Sequence, residues 1–245
     1  MTRGRGTGRI AVGAGSDNEM PAVDQRAART EKILAATRAL FDERGMREAH
    51  VEDIARVVGI NRAVVYRHFS SKEELFALTL VGYLADLDSL MTERLDDSAS
   101  PADQLRALAG AFLDFGQQHP AFVDCALVLL RRRGDELLKE ISEETMLKLG
   151  IGMASCLGRM TTILEHGVAA GDFHVEDPGM LSNLYYAQAL GVLNLTHMRI
   201  AVRDEDPGLP GTEAIPYEPV KAYVIETAVA MAQGTGPATA RRDDV

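Results

Sequence analysis

Cysteine is scarce in this sequence. Cys125 and Cys156 stand far apart, and neither has metal-ligand residues at a familiar spacing. That excludes a disulfide framework and a zinc module, and it predicts two reduced, buried thiols in a cytoplasmic protein. Long apolar runs are lacking too: no stretch approaches the ~20 apolar residues of a membrane span. The first residues, MTRGRGTGRIAVGAGS, carry no apolar core of the kind a secretory signal needs. Enzyme motifs are also missing. There is no Gly-x-Ser-x-Gly elbow, no phosphate loop and no metal-binding His pair. The GlyIleGly at 150–152 falls inside a helical pattern, and His50, His119, His166, His174 and His197 are scattered. The expectation is a chain that is not an enzyme, with no catalytic residue, no resident metal and no cofactor.

What is present points to a helical globular protein. Of 245 residues 46% are hydrophobic, enough to bury a sizeable core. The net charge of -10 is unevenly spread, near +2 over residues 1–75 and near -12 beyond them. From Arg62 to Lys72 there is no acid, but there are Arg62, Arg67, His68 and Lys72. A small basic face on an acidic body suits a local contact with phosphates, while the body repels nucleic acid elsewhere.

Residues 1–22 are rich in Gly and Arg without apolar period and read as a flexible arm. Arg3, Arg5 and Arg9 in it either enter a minor groove or belong to a tail without a role. From Asp24 the pattern becomes helical: Ile33, Leu34, Thr37, Leu40 and Phe41 recur at helical spacing, and Gly45 follows as a stop signal. Cap-then-proline signatures at Ser100-Pro101, Asp177-Pro178 and Glu218-Pro219, and His119-Pro120, divide the rest into longer helices. The acidic stretch from Arg203 to Tyr217, with Pro207, Pro210 and Pro216, reads as a loop, and 234–245 as a loose tail. The fold class is all-α, with about nine helices.

Residues 51–69 read VEDIARVVGINRAVVYRHF. Val51, Ile54, Ala55 and Val58 turn one face of a short helix inward, and Gly59 supplies a turn where a positive φ is tolerated. Asn61 is a natural N-cap, and Val65 and Phe69, four apart, hold a second short helix to the core. Arg62, Ala63, Val64, Tyr66, Arg67 and His68 then face outward or sideways. This is a helix-turn-helix with a recognition helix for double-stranded DNA. Arg62 suits a guanine edge, Ala63 and Val64 allow close approach to a thymine methyl, and Tyr66 and His68 reach phosphates. Lys72, at the start of the next helix, adds an ammonium beside free amides, a second place for a phosphate.

On these residues the sequence resembles the tetracycline-repressor (TetR) family over residues 26–82. The resemblance rests on IleLeuAlaAlaThr at 33–37, LeuPhe at 40–41, Gly45, ValGluAspIleAla at 51–55 and TyrArgHisPheSerSerLysGluGluLeuPhe at 66–76. His50 departs from it, standing where the family usually has a Ser or Thr cap. The resemblance implies an N-terminal three-helix helix-turn-helix DNA-binding domain (23–71) and a C-terminal helical ligand-binding and dimerisation domain (72–233). It further implies a homodimer on a near-palindromic operator. The function it implies is a DNA-binding transcriptional regulator in the cytoplasm, a repressor released by a small effector. Activation, or an interaction protein without effector response, is the alternative.

In the body the residues carry a weaker signal. Phe112, Phe115 and Phe122, with Met146, Met153 and Met160 along the helix after Glu140, line either a plain core or a cavity for an apolar or amphipathic effector. Gly150, Gly152 and Gly158 within that helix suggest a bend or a close contact. Arg131–Arg133 reads as a solvated helix end. The last two helices carry small residues among bulky ones. By the resemblance, Leu184, Ala187, Gly191, Leu195, Tyr223, Val224, Thr227 and Met231 form the dimer interface.

Overall fold

The computed structural model describes residues 22–46, 48–132, 134–198, 201–206 and 209–234. The arm at 1–21 and most of the tail lie outside them. Three helices form a head: α1 (Ala22–Arg44), α2 (Val51–Val58) and α3 (Arg62–His68). The inward residues of α1 are Ile33, Ala36, Thr37, Leu40 and Phe41, one helical stripe, and Gly45 takes a φ of 79° at its end. Ile54, Val65 and Phe69, each 1% exposed, close the head core.

The body follows as α4 (Lys72–Arg94), α5 (Pro101–Gln118), α6 (Pro120–Leu130), α7 (Gly134–Glu140), α8 (Glu143–Ala170), α9 (Pro178–Met198) and α10 (Tyr217–Ala232). Local chemistry sets these boundaries. Ser71, Ser100 and Ser142 each accept a bond from the amide three residues on, and Pro101 follows its cap directly. The C-terminus of α8 is closed by Gly171 at φ 80°, and Asp172 and Phe173 donate back to the Gly167 carbonyl at 2.9 and 3.1 Å. Phe173 packs against Gly167, where any Cβ would overlap its ring.

Helix α4 is shared by head and body. Its Phe76 meets Phe41 edge-on at 5.4 Å, while Leu80, Tyr83, Leu84 and Leu87 are buried in the body. It packs most extensively on α8, where Gly152 lets the Leu84 side chain approach to 3.2 Å from the position a Cβ would take. The close contact suggested for the glycines of α8 is thus found at Gly152.

Three expectations need correction. By length and composition α4 is apolar enough to cross a membrane, although no such stretch was expected. Its apolar residues are buried against α1, α5, α6 and α8. The helices number ten among the described residues, because α7 is separate from α8. The stretch expected as a loop from Arg203 contains an antiparallel hairpin, β1 (Ala201–Asp206) with β2 (Leu209–Glu213). Its pairing is between backbones and its register shifts between Asp204 and Asp206, so no apolar alternation announces it.

Candidate nucleic-acid interface and effector cavity

The head presents α3 outward because its two ends are fixed. Gly59 takes φ 75°, and Ile60 N–H bonds the Ala55 carbonyl at 2.9 Å, which turns the chain. Asn61 Oδ1 then accepts from Val64 N–H at 3.0 Å and starts α3. With Val65 and Phe69 buried, Arg62, Ala63, Tyr66 and Arg67 are exposed together, and Val64 and His68 sit half-buried at the edges. His50 makes no side-chain cap bond to α2, as its ring suggests.

Arg62 is held in place. Its guanidinium bonds Glu52 Oε1 at 2.6 Å and lies 5.3 Å from the centre of the Tyr66 ring. Tyr66 and then Glu52 raise its already high pKa, so it is a permanent cation. His68 is different. Its Nδ1 is 2.9 Å from Thr30 Oγ1 on α1. Partial burial, and then Arg26, Arg29 and Arg67, push its pKa down, so at neutral pH it is an uncharged ring locking α3 to α1. Arg26, Arg29 and Arg67 surround a shallow concavity with Gln25 and Val64, and Arg26 Nη2 reaches the Arg67 carbonyl at 3.4 Å. Arg26 and Arg29 were missed in the sequence, where only their spacing of three hints at a shared face.

Lys72 is exposed and its ammonium lies 5.0 Å from the centre of the Phe76 ring. The free amides expected beside it are not all free. Ser71 Oγ takes the Glu74 amide at 2.9 Å, and Glu74 Oε2 takes the Ser70 amide at 2.5 Å. A carboxylate thus lies at that helix end, close in sequence to the Lys72 ammonium.

Glu74 also joins head to body. It is 7% exposed, and its Oε1 accepts from Ser142 Oγ at 2.5 Å, Thr145 Oγ1 at 3.0 Å and Ser142 N–H at 3.3 Å. Burial by itself raises its pKa. The bonds from Ser142, Ser70 and Thr145 outweigh that and lower it to about 2. Arg132, expected to be solvated, bridges Glu73 at 3.5 Å and Glu140 at 3.3 Å beside this junction. A second junction lies on the other side of α4, where Asp42 of α1 accepts from Tyr83 Oη at 2.7 Å and faces His119 Nδ1 at 3.7 Å.

Between α4, α5, α8, α9 and α10 lies a partly open apolar cavity of about 50 Å3. Phe112, Met153 and Met160, named from sequence, line it with Leu87, Met91 and Tyr186. Phe115 and Phe122 do not. They pack on His119 and Tyr83, with Phe115 4.6 Å from the His119 ring and 5.3 Å from Phe122. Met146 is half-buried against the core and also lies away from the cavity. Tyr185 and Tyr186 of α9 were missed, because the sequence assigned that helix wholly to the dimer. Cys125 is 0% exposed, and Cys156, at the cavity wall, is 6% exposed. Burial raises both thiols to about 12, so both are inert.

On the outer face of α9, Leu184, Ala187, Gly191 and Leu195 form an exposed stripe that Met180 and Met198 extend. Tyr223 of α10 is 75% exposed, and Thr227 and Met231 are half-buried. Val224 points the other way. It is 9% exposed and lines the cavity, so its place in an interface is corrected to a place in the cavity wall.

A three-helix head with an outward α3, carried on a helical body with an apolar cavity, defines a helix-turn-helix protein of two parts. Residues 33–79 match the profile of the bacterial regulatory proteins of the tetR family. Over those residues the chain is similar to that family. It is 33% identical over 111 residues, 45% of its length and 49% of the relative's, to the HTH-type transcriptional activator FasR of Mycolicibacterium smegmatis. It is 36% identical over 95 residues, 39% and 48% of the two chains, to the HTH-type transcriptional repressor KstR2 of Mycobacterium tuberculosis. The matches thus span about half the length of these curated relatives. A solved tetR-family regulatory protein from Rhodococcus RHA1 has the same fold, with a TM-score of 0.60 at 19% identity over 83% of this chain and 96% of that one.

Proposed function

We propose that this chain is a dimeric, sequence-specific DNA-binding transcriptional regulator of the cytoplasm whose affinity for DNA is set by an apolar small molecule. The observation that carries the reading is the outward face of α3. Arg62, Ala63, Tyr66 and Arg67 are presented together, and Arg26 and Arg29 of α1 stand beside them. That combines groups able to read base edges with cations that fix the position of the backbone. The two relatives are an activator and a repressor by name, so the reading carries no sign of regulation.

Two further features support it. The exposed stripe of α9 with Tyr223 is an apolar patch of the kind that a second copy covers. Gly191 has nothing within 4 Å of its missing Cβ, which leaves room for a partner's backbone. The dimer then holds two α3 helices about 34–36 Å apart, one turn of DNA. The cavity is walled by α4 and α8, and Glu74 ties the head-proximal ends of those helices together. A ligand that widens the cavity moves α4 against this tie and changes the spacing of the heads, a coupling of about 1–3 kcal/mol.

The experiment is selection of genomic DNA fragments by the purified full chain at fixed, near-physiological salt, followed by sequencing. Recovery of one motif with two-fold symmetry is the expected result. Weak binding without a motif, abolished by modest salt, would overturn it.

A further inference from the structure

The cavity is almost without free polar groups, and the few it has are nearly all committed. Ser182 Oγ donates to the Pro178 carbonyl at 2.8 Å and shares a bond with Thr161 at 2.9 Å. Tyr185 Oη donates to the Ala228 carbonyl at 2.5 Å. The Cys156 thiol points to the Leu84 carbonyl at 3.7 Å. Tyr186 is the exception among the lining residues that are not exposed. It lines the cavity, its ring packs edge-on against Phe112 at 6.0 Å, and no hydrogen bond reaches its hydroxyl among the described residues. Gln188 also lines the cavity but is exposed, and it marks where the cavity meets solvent. No Asp, Glu, Lys, Arg or His belongs to the lining.

We infer that the cavity takes an uncharged, largely apolar ligand with one hydrogen-bond acceptor, such as a carbonyl or ester oxygen, and that the Tyr186 hydroxyl donates to it. This rests on the reading of the cavity as the effector site and adds the ligand class and the residue that selects it. A phenol hydroxyl is an O–H donor, and burial keeps Tyr186 protonated by pushing its pKa well above the usual tyrosine range. A neutral acceptor gives that hydrogen a partner. A carboxylate inside the lining would leave a charge with no cation to pair it, a cost that an apolar wall does not repay. An anionic group is therefore excluded from the cavity and is tolerated only beyond Gln188. The free space of about 50 Å3 is smaller than such a ligand. Met91, Met153 and Met160 are unbranched and re-pack without backbone strain, so entry displaces side chains first.

The test is calorimetric titration of the full chain at about pH 8, where a fatty carboxylate is ionised. Three probes are used: 2-nonanone, nonanoate and toluene, the last with no oxygen acceptor. The expected result is 2-nonanone binding at least about tenfold more tightly than nonanoate. Tyr186→Phe weakens 2-nonanone by about tenfold, the loss of one buried hydrogen bond, and leaves toluene within about twofold. Unchanged toluene binding shows that the variant keeps its cavity. If nonanoate binds as well as the ketone, or if Tyr186→Phe keeps full affinity for the ketone, the inference is overturned while the effector cavity stands. If neither toluene nor 2-nonanone binds the unaltered chain, the cavity reading itself falls, and this inference with it.

Discussion

Replacing Glu74 by Gln tests the junction between head and body, because it keeps the shape and removes the charge. One carboxylate oxygen serves the Ser70 amide, and the other serves the Ser142 amide and the hydroxyls of Ser142 and Thr145. An amide group must turn its NH2 toward one of these sets. Hydroxyls can rotate to accept, whereas the Ser70 N–H cannot, so the carbonyl goes to Ser70 and the NH2 to the hydroxyls. The Ser142 amide then loses its acceptor, and the remaining bonds lose the assistance of the charge. With charged bonds contributing about 1.5–3 kcal/mol and neutral ones about 0.5–1.5, the loss is roughly 3 kcal/mol. Proton binding gives a second route to the figure. A carboxyl lowered from 4.5 to about 2 favours its ionised form by roughly 3 kcal/mol. Because the folded pKa lies below the unfolded one, that contribution is present above about pH 4.5 and fades as the pH falls toward 2. The assay is urea unfolding of both proteins at one fixed protein concentration, since the stability of a dimer would depend on it. The variant is expected to be less stable by roughly 3 kcal/mol at neutral pH, with the difference shrinking as the medium is acidified through this window. A difference below about 0.5 kcal/mol at neutral pH, or one equally large in acid, would refute the reasoning.

Three other perturbations have defined outcomes. Leu184→Asp with Tyr223→Asp alters only exposed side chains, so sedimentation should show monomers whose helical content by circular dichroism is unchanged. Gly167→Ala forces a Cβ into the Phe173 ring, which is 2% exposed, and should lower unfolding stability by about 1–3 kcal/mol in urea titration. Cys125 and Cys156, buried and with thiols near 12, should resist iodoacetamide at pH 8 in the native protein and react fully in urea.

The head was legible in the sequence because its signals are local. The glycine of the turn, the Asn61 cap and the four-residue step from Val65 to Phe69 each act within one helical turn. What escaped depends on how helices cross. Arg26 and Arg29 join the α3 surface only because α1 passes beside it, and the same crossing pairs His68 with Thr30. Apolar periodicity tells a core from a surface but not a core from a cavity, so Phe115 and Phe122 looked equivalent to Phe112. Val224 shares its helix with Tyr223, and only the packing of α10 sends one inward and the other out. Glu74 looked like an ordinary acid in a first helical turn. Its burial comes from Ser142 and Thr145, about seventy residues away, a contact that no local pattern encodes.

The most direct measurement of the central claim compares Arg62→Ala with Arg26→Ala on a selected DNA site and on a scrambled one, by fluorescence anisotropy at one fixed salt concentration. If α3 reads bases, Arg62→Ala lowers the preference for the selected site by about tenfold or more, the cost of one lost base contact. If Arg26 is a phosphate contact, Arg26→Ala weakens both sites alike and leaves the preference intact. An Arg62→Ala protein with unchanged affinity and unchanged preference would contradict the account.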